Sequence, residues 1–235
     1  MQAQTIHPWQ VTTHEAIAAQ KRLRTQVITH NTVGEIRYIA GADISTAKDS
    51  PRAFAGVVVL SYPALEVVEE RGIEAEVTFP YVPGLLAFRE GPALIKVFEQ
   101  LHTEPDVLVF DGQGLAHPRG MGIATHLGLL FDKPSIGCAK SLLFGRYQEP
   151  DQEKGTWAEL RDPGGQVIGA AVRTKPKTTP IFVSIGHRLD LATAVQLLLN
   201  CTRGVRIPEP TRLAHNLVTR LSRGGGRKGE QPRLL

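Results

Sequence analysis

Asp111 closes a run of four apolar residues, Val107-Leu108-Val109-Phe110, and is followed at once by Gly112-Gln113-Gly114. A short, uninterrupted apolar run reads as a strand buried on both faces. An acid at the carboxyl end of such a strand, beside glycines that let a ligand approach the backbone, is where open α/β sheets place their chemistry. A second apolar piece, Pro134 to Ala139, delivers Lys140. Two further carboxylates stand in similar positions. Asp43 ends the strand-like IRYIAGADIS, and Glu90 falls in the first turn of an expected helix. If these acids converge they repel one another unless a divalent cation joins them, and hard oxygen ligands with open positions suit Mg²⁺, with Mn²⁺ as substitute. Such a centre activates water and stabilises charge on a phosphoryl group. The bland alternatives are that Asp111 is a turn residue or helix cap, and that Glu90 answers a helix dipole. Two nucleotide motifs are set aside. His117 stands where a dinucleotide fingerprint needs its third glycine, and Lys140-Ser141 lacks the glycine loop of a phosphate-binding P-loop.

The elements that must hold these residues follow from periodicity. Thr12 and Glu15 form a capping box for a helix to about Val27, with Ala16, Ala19, Leu23 and Val27 at helical spacing. Three strands are expected over 36–43, 56–62 and 65–77, the last interspersed with charge as an edge would be. The connections between them are short, which favours antiparallel pairing. A helix follows from about Phe88 to Leu101, then the strand 107–110, a helix from Ile123 to Phe131 and the strand 134–139. The glycine-rich start of the helix at Ile123 could offer free N–H groups to a phosphate. Beyond come a strand region over 155–172 with a Pro163-Gly164-Gly165 turn, an apolar run over 181–185, and helices over 191–199 and 211–221. With right-handed crossovers the fourth strand pairs beside the first, making Asp43 and Asp111 neighbours, while Glu90 leans in from one face. The fold expected is α/β: a ribonuclease H-like mixed sheet, three antiparallel strands then parallel strands, with helices on both faces. One domain should span residues 1–221, and 222–235 should be a disordered basic tail.

Between the third strand and its helix lies Phe79-Pro80-Tyr81-Val82-Pro83-Gly84. Two prolines make this loop stiff. Tyr81 is then either a core ring in a rigid connector or a wedge for a base stack. His117 and His187 read as structural or solvent-facing, and His126 as packing. Arg119, Lys133, Arg188, Arg203 and Arg206 could meet phosphates, although scattered surface charge is the commoner origin of such residues.

The chain has 235 residues, 42% hydrophobic, with a net charge of +4 and two cysteines in apolar contexts. That is enough for one sizeable core. A mild basic excess suits a phosphate-rich partner. Two cysteines do not make a structural zinc site, and buried free thiols suit a reducing compartment. Neither a signal peptide nor a membrane span is legible. A soluble, cytoplasmic monomer is expected.

Five motifs, in order, resemble the endonuclease V family of deoxyinosine-directed repair nucleases. They are YIAGADIS around Asp43, FPYVPGLLAFREGP around Tyr81 and Glu90, VFDGQGLAHPRGMGIATHLG around Asp111, IGCAKSLL around Lys140, and RLAHNL bearing His215. The resemblance implies that Asp43 and Asp111 ligate Mg²⁺, that Glu90 and His215 hold or orient metal-bound water, and that Lys140 offsets developing charge. It implies a strand-separating wedge at Pro80, Tyr81, Val82 and Pro83, and a pocket for a rotated-out base with backbone from Gly84 and Gly112. The implied reaction hydrolyses the second phosphodiester bond 3′ to deoxyinosine or another deaminated base, leaving 3′-hydroxyl and 5′-phosphate ends. Deaminated DNA, duplex or single-stranded, is the implied partner, and inosine-containing RNA a further candidate. Three rivals stand beside this reading: another nuclease of the same fold such as a junction resolvase or ribonuclease, a non-catalytic nucleic-acid-binding module, and a small-molecule phosphatase.

Overall fold

The computed structural model describes residues 1–46 and 51–224. The turn expected between the first two strands therefore falls partly outside the described residues, as does the 225–235 part of the expected tail. The elements run α1 (Thr13–Arg24), β1 (Tyr38–Thr46), β2 (Arg52–Ser61), β3 (Val67–Glu76), α2 (Leu86–Phe98), β4 (Val107–Phe110), α3 (Ile123–Phe131), β5 (Ser135–Ala139), β6 (Trp157–Arg161), β7 (Val167–Val172), β8 (Ile181–His187), α4 (Leu191–Asn200) and α5 (Glu209–Gly224).

One eight-stranded mixed sheet has the order β3-β2-β1-β4-β5-β8-β7-β6. The first three strands pair antiparallel, and β4 lies parallel to β1 with Ala42 opposite Phe110. This is the ribonuclease H-like arrangement expected from the sequence, with the charged β3 at an edge. The sheet extends further than expected. The 155–172 region is a hairpin, β6 and β7, and β8 runs antiparallel to β5. No helix carries the chain from β5 back across the sheet, so the return strand comes in reversed.

Alternation along β1 and β4 sorts the core into two layers. Ile39, Val107 and Val109 face one side, packed with Ala194, Leu198, Ala214 and Leu217 of α4 and α5. Ala40, Ala42, Leu108 and Phe110 face the other, against Leu94 and Val97 of α2 and Leu127 of α3. By the same period of two, Asp43 and Asp111 point to the α5 side. α5 lies close because the strands beneath it carry glycine: a Cβ at Gly41 would collide with the Pro210 carbonyl, and one at Gly56 would stand 2.9 Å from Val218. A bulkier residue at either place would lift the helix off the sheet.

α1 has its capping box, with the Thr12 hydroxyl accepting from the Glu15 N–H and Glu15 accepting from the Thr12 N–H at 2.7 Å. α2 begins two residues before the expected Phe88, so Glu90 sits beyond its first turn. α5 continues through Gly224, three residues into the expected tail. Cys138 and Cys201 are buried free thiols. Among the described residues no helix is long and apolar enough to cross a membrane.

Candidate active site

Asp111 follows the end of β4, but β1 does not end at Asp43 as expected: it continues to Thr46, paired with β2, and Asp43 stands one residue past its last pair with β4. The Asp111 N–H bonds the Ala42 carbonyl at 3.1 Å, tying the two strands together there. From above, α5 lowers His215. Ligand atoms of Asp43, Asp111 and His215 all lie within 4.8 Å of one another. His215 Nδ1 stands 2.9 Å from Asp43 Oδ2, and the Ile44 N–H donates to Asp43 Oδ1. Lys140, just past β5, donates to Asp111 Oδ2 at 2.5 Å.

The electrostatics are those of a site short of positive charge. Burial, and then the charge of Asp111, push the Asp43 carboxyl above its ordinary range, against the bonds from His215 and Ile44. Glu90 approaches from α2, on the opposite face. Burial first and the Asp43 charge second push it up to about 8, with Arg89 opposing and Asp111 adding. Burial works against the Lys140 ammonium, but the hydrogen bond and charge of Asp111 outweigh it and raise its pKa. Two carboxylates and an imidazole nitrogen at this spacing, with a third carboxyl held protonated nearby, fit a divalent cation that would relieve the repulsion. Glu90 is not in the set of three.

The 79–84 loop leaves the body of the protein between two fastened ends. Arg89 Nη1 donates to the Phe79 carbonyl at 2.7 Å, and Phe79 is buried against Phe88. At the other end the Gly84 carbonyl receives Arg119 Nη2 at 2.7 Å. Between them Tyr81 is 73% exposed, which removes the core-ring alternative. Beneath the loop is a cavity of about 120 Å³, lined by Tyr81, Gly84, Ala87, Gln113, Met121 and Ile123 among others. A void of roughly 150 Å³ can take up one aromatic ring, so this one is of the right order for a base. Gly84 lines it and Gly112 does not; Gly112 packs against Ile123, where a Cβ would stand 2.8 Å from Cγ2. The cavity adjoins the acids: Gln113 is two residues from Asp111, and its Nε2 donates to the carbonyl of Ser141, next to Lys140.

A family model described as Endonuclease V matches residues 21–216. The chain belongs to the endonuclease V family. It is 49% identical over 212 residues to an Endonuclease V of Roseiflexus sp. (strain RS-1), covering 90% of this chain and 94% of that one. The Streptomyces avermitilis Endonuclease V crystal structure superposes with a TM-score of 0.89 at 38% identity, covering 97% of this chain and 100% of that one. The Ciona intestinalis Endonuclease V, solved with a 24mer DNA containing an inosine followed by a ribo-adenosine, gives 0.78 at 28% identity, covering 89% and 97%.

Several expectations are redirected by the endonuclease V fold. The start of α3 does not offer all its amides to a phosphate, because the Gly122 and Ala124 N–H groups bond the carbonyls of Gly114 and Gln113. The five basic residues considered for phosphates are engaged internally. Lys133 pairs with Glu104 and Arg188 with Asp132, beside the start of β5 and thus at the end of the sheet away from the acids. Arg203 bonds the Ala64 carbonyl, and Arg206 the carbonyls of Thr179, Pro180 and Lys140. Arg119 turns inward to Gly84 and Gln20. His126 is buried packing, stacked on Trp9. His117 is a loop residue drawn inside, and burial pushes it down to about 4. Sequence reasoning passed over Gln20 and Gln113, both buried amides. Gln20 left a signal: it sits at position i+4 from Ala16 in the apolar stripe of α1, and a polar residue there needs a buried partner.

Proposed function

We propose that this protein is a cation-dependent nuclease that takes a deaminated base, hypoxanthine above all, into the cavity under Tyr81. It then hydrolyses the second phosphodiester bond on the 3′ side, leaving 3′-hydroxyl and 5′-phosphate ends. The observation that carries this reading is adjacency: an acid centre at the ends of β1 and β4 opens beside a base-sized cavity capped by an exposed, proline-flanked ring.

Asp43 and Asp111 would hold a divalent cation, with Glu90 and His215 orienting water beside it, and Mg²⁺ suits these oxygen ligands with Mn²⁺ as substitute. When bound, the cation supplies activation of water and neutralisation of phosphoryl charge. The chain does the rest. With Asp43 ionised, the His215 Nδ1 hydrogen points at Asp43 Oδ2, which leaves Nε2 as the nitrogen able to take a proton from water. Lys140, held charged by Asp111, offsets negative charge growing on the phosphate. Tyr81 fills the gap that a rotated base leaves in the stack, and Pro80, Val82 and Pro83 keep it extended. Backbone of Gly84 and its neighbours reads the base edge. A site that donates to the hypoxanthine carbonyl rejects adenine, whose amino group would face a donor.

Substrates are duplex or single-stranded DNA with a deaminated base. The chain acts as one domain and as a monomer in the cytoplasm. The decisive experiment compares matched DNA and RNA strands, with and without one inosine, in Mg²⁺ and in chelator. Incision two bonds 3′ of deoxyinosine, lost in chelator, is expected. Equal cleavage of the undamaged strand would favour a general nuclease of this fold, and cleavage of RNA alone an inosine-specific ribonuclease.

A further inference from the structure

The Gly84 carbonyl is gripped by three side chains. Arg119 Nη2 donates to it at 2.7 Å, His117 Nε2 stands at 2.9 Å and Gln20 Nε2 at 3.0 Å. The tautomer of His117 follows from its other nitrogen, which accepts from the N–H groups of Arg119 at 3.1 Å and Met121 at 3.4 Å. Nε2 therefore carries the hydrogen and is a true donor. Gln20 is oriented in the same way. Its Oε1 accepts from Arg119 Nε at 2.5 Å, so its amide nitrogen must face both Gly84 and the Met121 carbonyl, the latter at 3.1 Å. A carbonyl has two lone pairs, and one donor would satisfy it. Three donors, one of them cationic, fix a position rather than merely satisfy a group.

What they fix is the width of the cavity. Gly84 and Met121 both line it, one from the wedge loop and one from the 112–122 loop, and Gln20 bonds both through one nitrogen. Gly84 has φ +79, so nothing in its own backbone preference keeps the loop from swinging. Gln20 and His117 are buried, so a lost partner leaves polar groups stranded away from water.

We propose that Gln20, His117 and Arg119 act together as a clamp that sets the spacing of the two cavity walls, and through it the selectivity for the base. None belongs to the acid centre: Gln20 and Arg119 are positioning residues that act through Gly84 and Met121, while His117 holds Gly84 and also lines the cavity itself. The inference rests on reading the cavity as the base pocket. Gln20 comes from α1, outside the motifs that carry the acids, so selectivity depends on a helix with no part in the chemistry.

The test uses single-stranded DNA, where no stack has to be wedged apart, and measures affinity and single-turnover incision for inosine against adenosine substrates. Gln20→Met keeps the volume and removes the bonds. It should lower the inosine-to-adenosine affinity ratio on the order of tenfold, as for loss of buried hydrogen bonds, with saturated incision of the inosine strand within about twofold of wild type. Leu86 also lines the cavity, and Leu86→Trp, which crowds it, should abolish the preference. If Leu86→Trp keeps the preference, the pocket reading is wrong and the clamp falls with it. If Leu86→Trp destroys the preference while Gln20→Met retains it, the clamp alone is wrong. A saturated rate that falls as far as the ratio would also overturn it, marking general disruption. Should Gln20→Met fail to fold, Arg119→Lys, which keeps the charge but not the fork, is judged by the same criteria.

Discussion

The acid centre and the 79–84 loop are held in opposite ways. Asp43 stands within β1 and Asp111 immediately after β4, so the sheet holds their backbones and their side chains carry the tension: like charges close together, with Glu90 pushed up to about 8 beside them. At the loop the side chains are at ease and the backbone needs fastening. Tyr81 reaches into solvent, while Arg89 ties the Phe79 carbonyl and three donors tie that of Gly84. At the acids the strain lies between charges that the sheet brings together; at the loop the exposed ring takes its order from the bonds behind it.

The sharpest way to break this contrast is at the acids. Asp43→Ala or Asp111→Ala should reduce single-turnover incision by more than about a thousandfold, in keeping with losing a positioned cation, while affinity for inosine strands stays near wild type. Lys140→Ala should lose rate rather than affinity, and less of it. Near-normal turnover of either aspartate variant at saturating Mg²⁺ would remove the acids from the chemistry.

An intermediate effect is expected at the tip of the wedge. Tyr81→Ala should weaken binding and incision of inosine duplexes by roughly tenfold to a hundredfold, since unstacking costs a few kcal/mol. Single strands, with little stacking to break, should suffer much less. Equal losses on both substrates would turn Tyr81 into an ordinary contact and dissolve the contrast between the regions.

The smallest effect concerns stability without a cation. A carboxyl whose folded pKa lies above its unfolded one holds its proton more tightly when folded. Stability therefore falls as pH rises through the window between them, here from about 4.5 to about 8 for Glu90. In chelator, wild type should lose Tm between pH 5 and pH 8 relative to Glu90→Gln, and added Mg²⁺ should close the difference. Parallel Tm profiles for the two proteins would mean that Glu90 feels no strain from its neighbours.

The meeting of Asp43 and Asp111 was legible in the sequence because both follow strong local patterns. Apolar runs ending in an acid mark strand ends, and a proline-flanked tyrosine marks a stiff loop whatever surrounds it. Periodicity also yielded α3 over its full observed range and the charged edge strand. It could not say whether Tyr81 faced core or solvent, because a stiff loop suits both, and exposure depends on what packs beneath. Nor could it show that Gly112 is set aside from the cavity while Gln113 lines it, since that turns on Ile123 packing against Gly112 from a different element. The reversal of β8 depended on the β6–β7 hairpin joining the same sheet, a pairing between distant segments with no local signature. Gln20 is the plainest case. In sequence it is one polar residue in a helix's apolar stripe; only the tertiary structure brings it to Gly84, 64 residues away, and to Met121, 101 away. Local propensity reads what a residue does to its own backbone, whereas a buried hydrogen bond is decided by whichever donor the finished fold delivers.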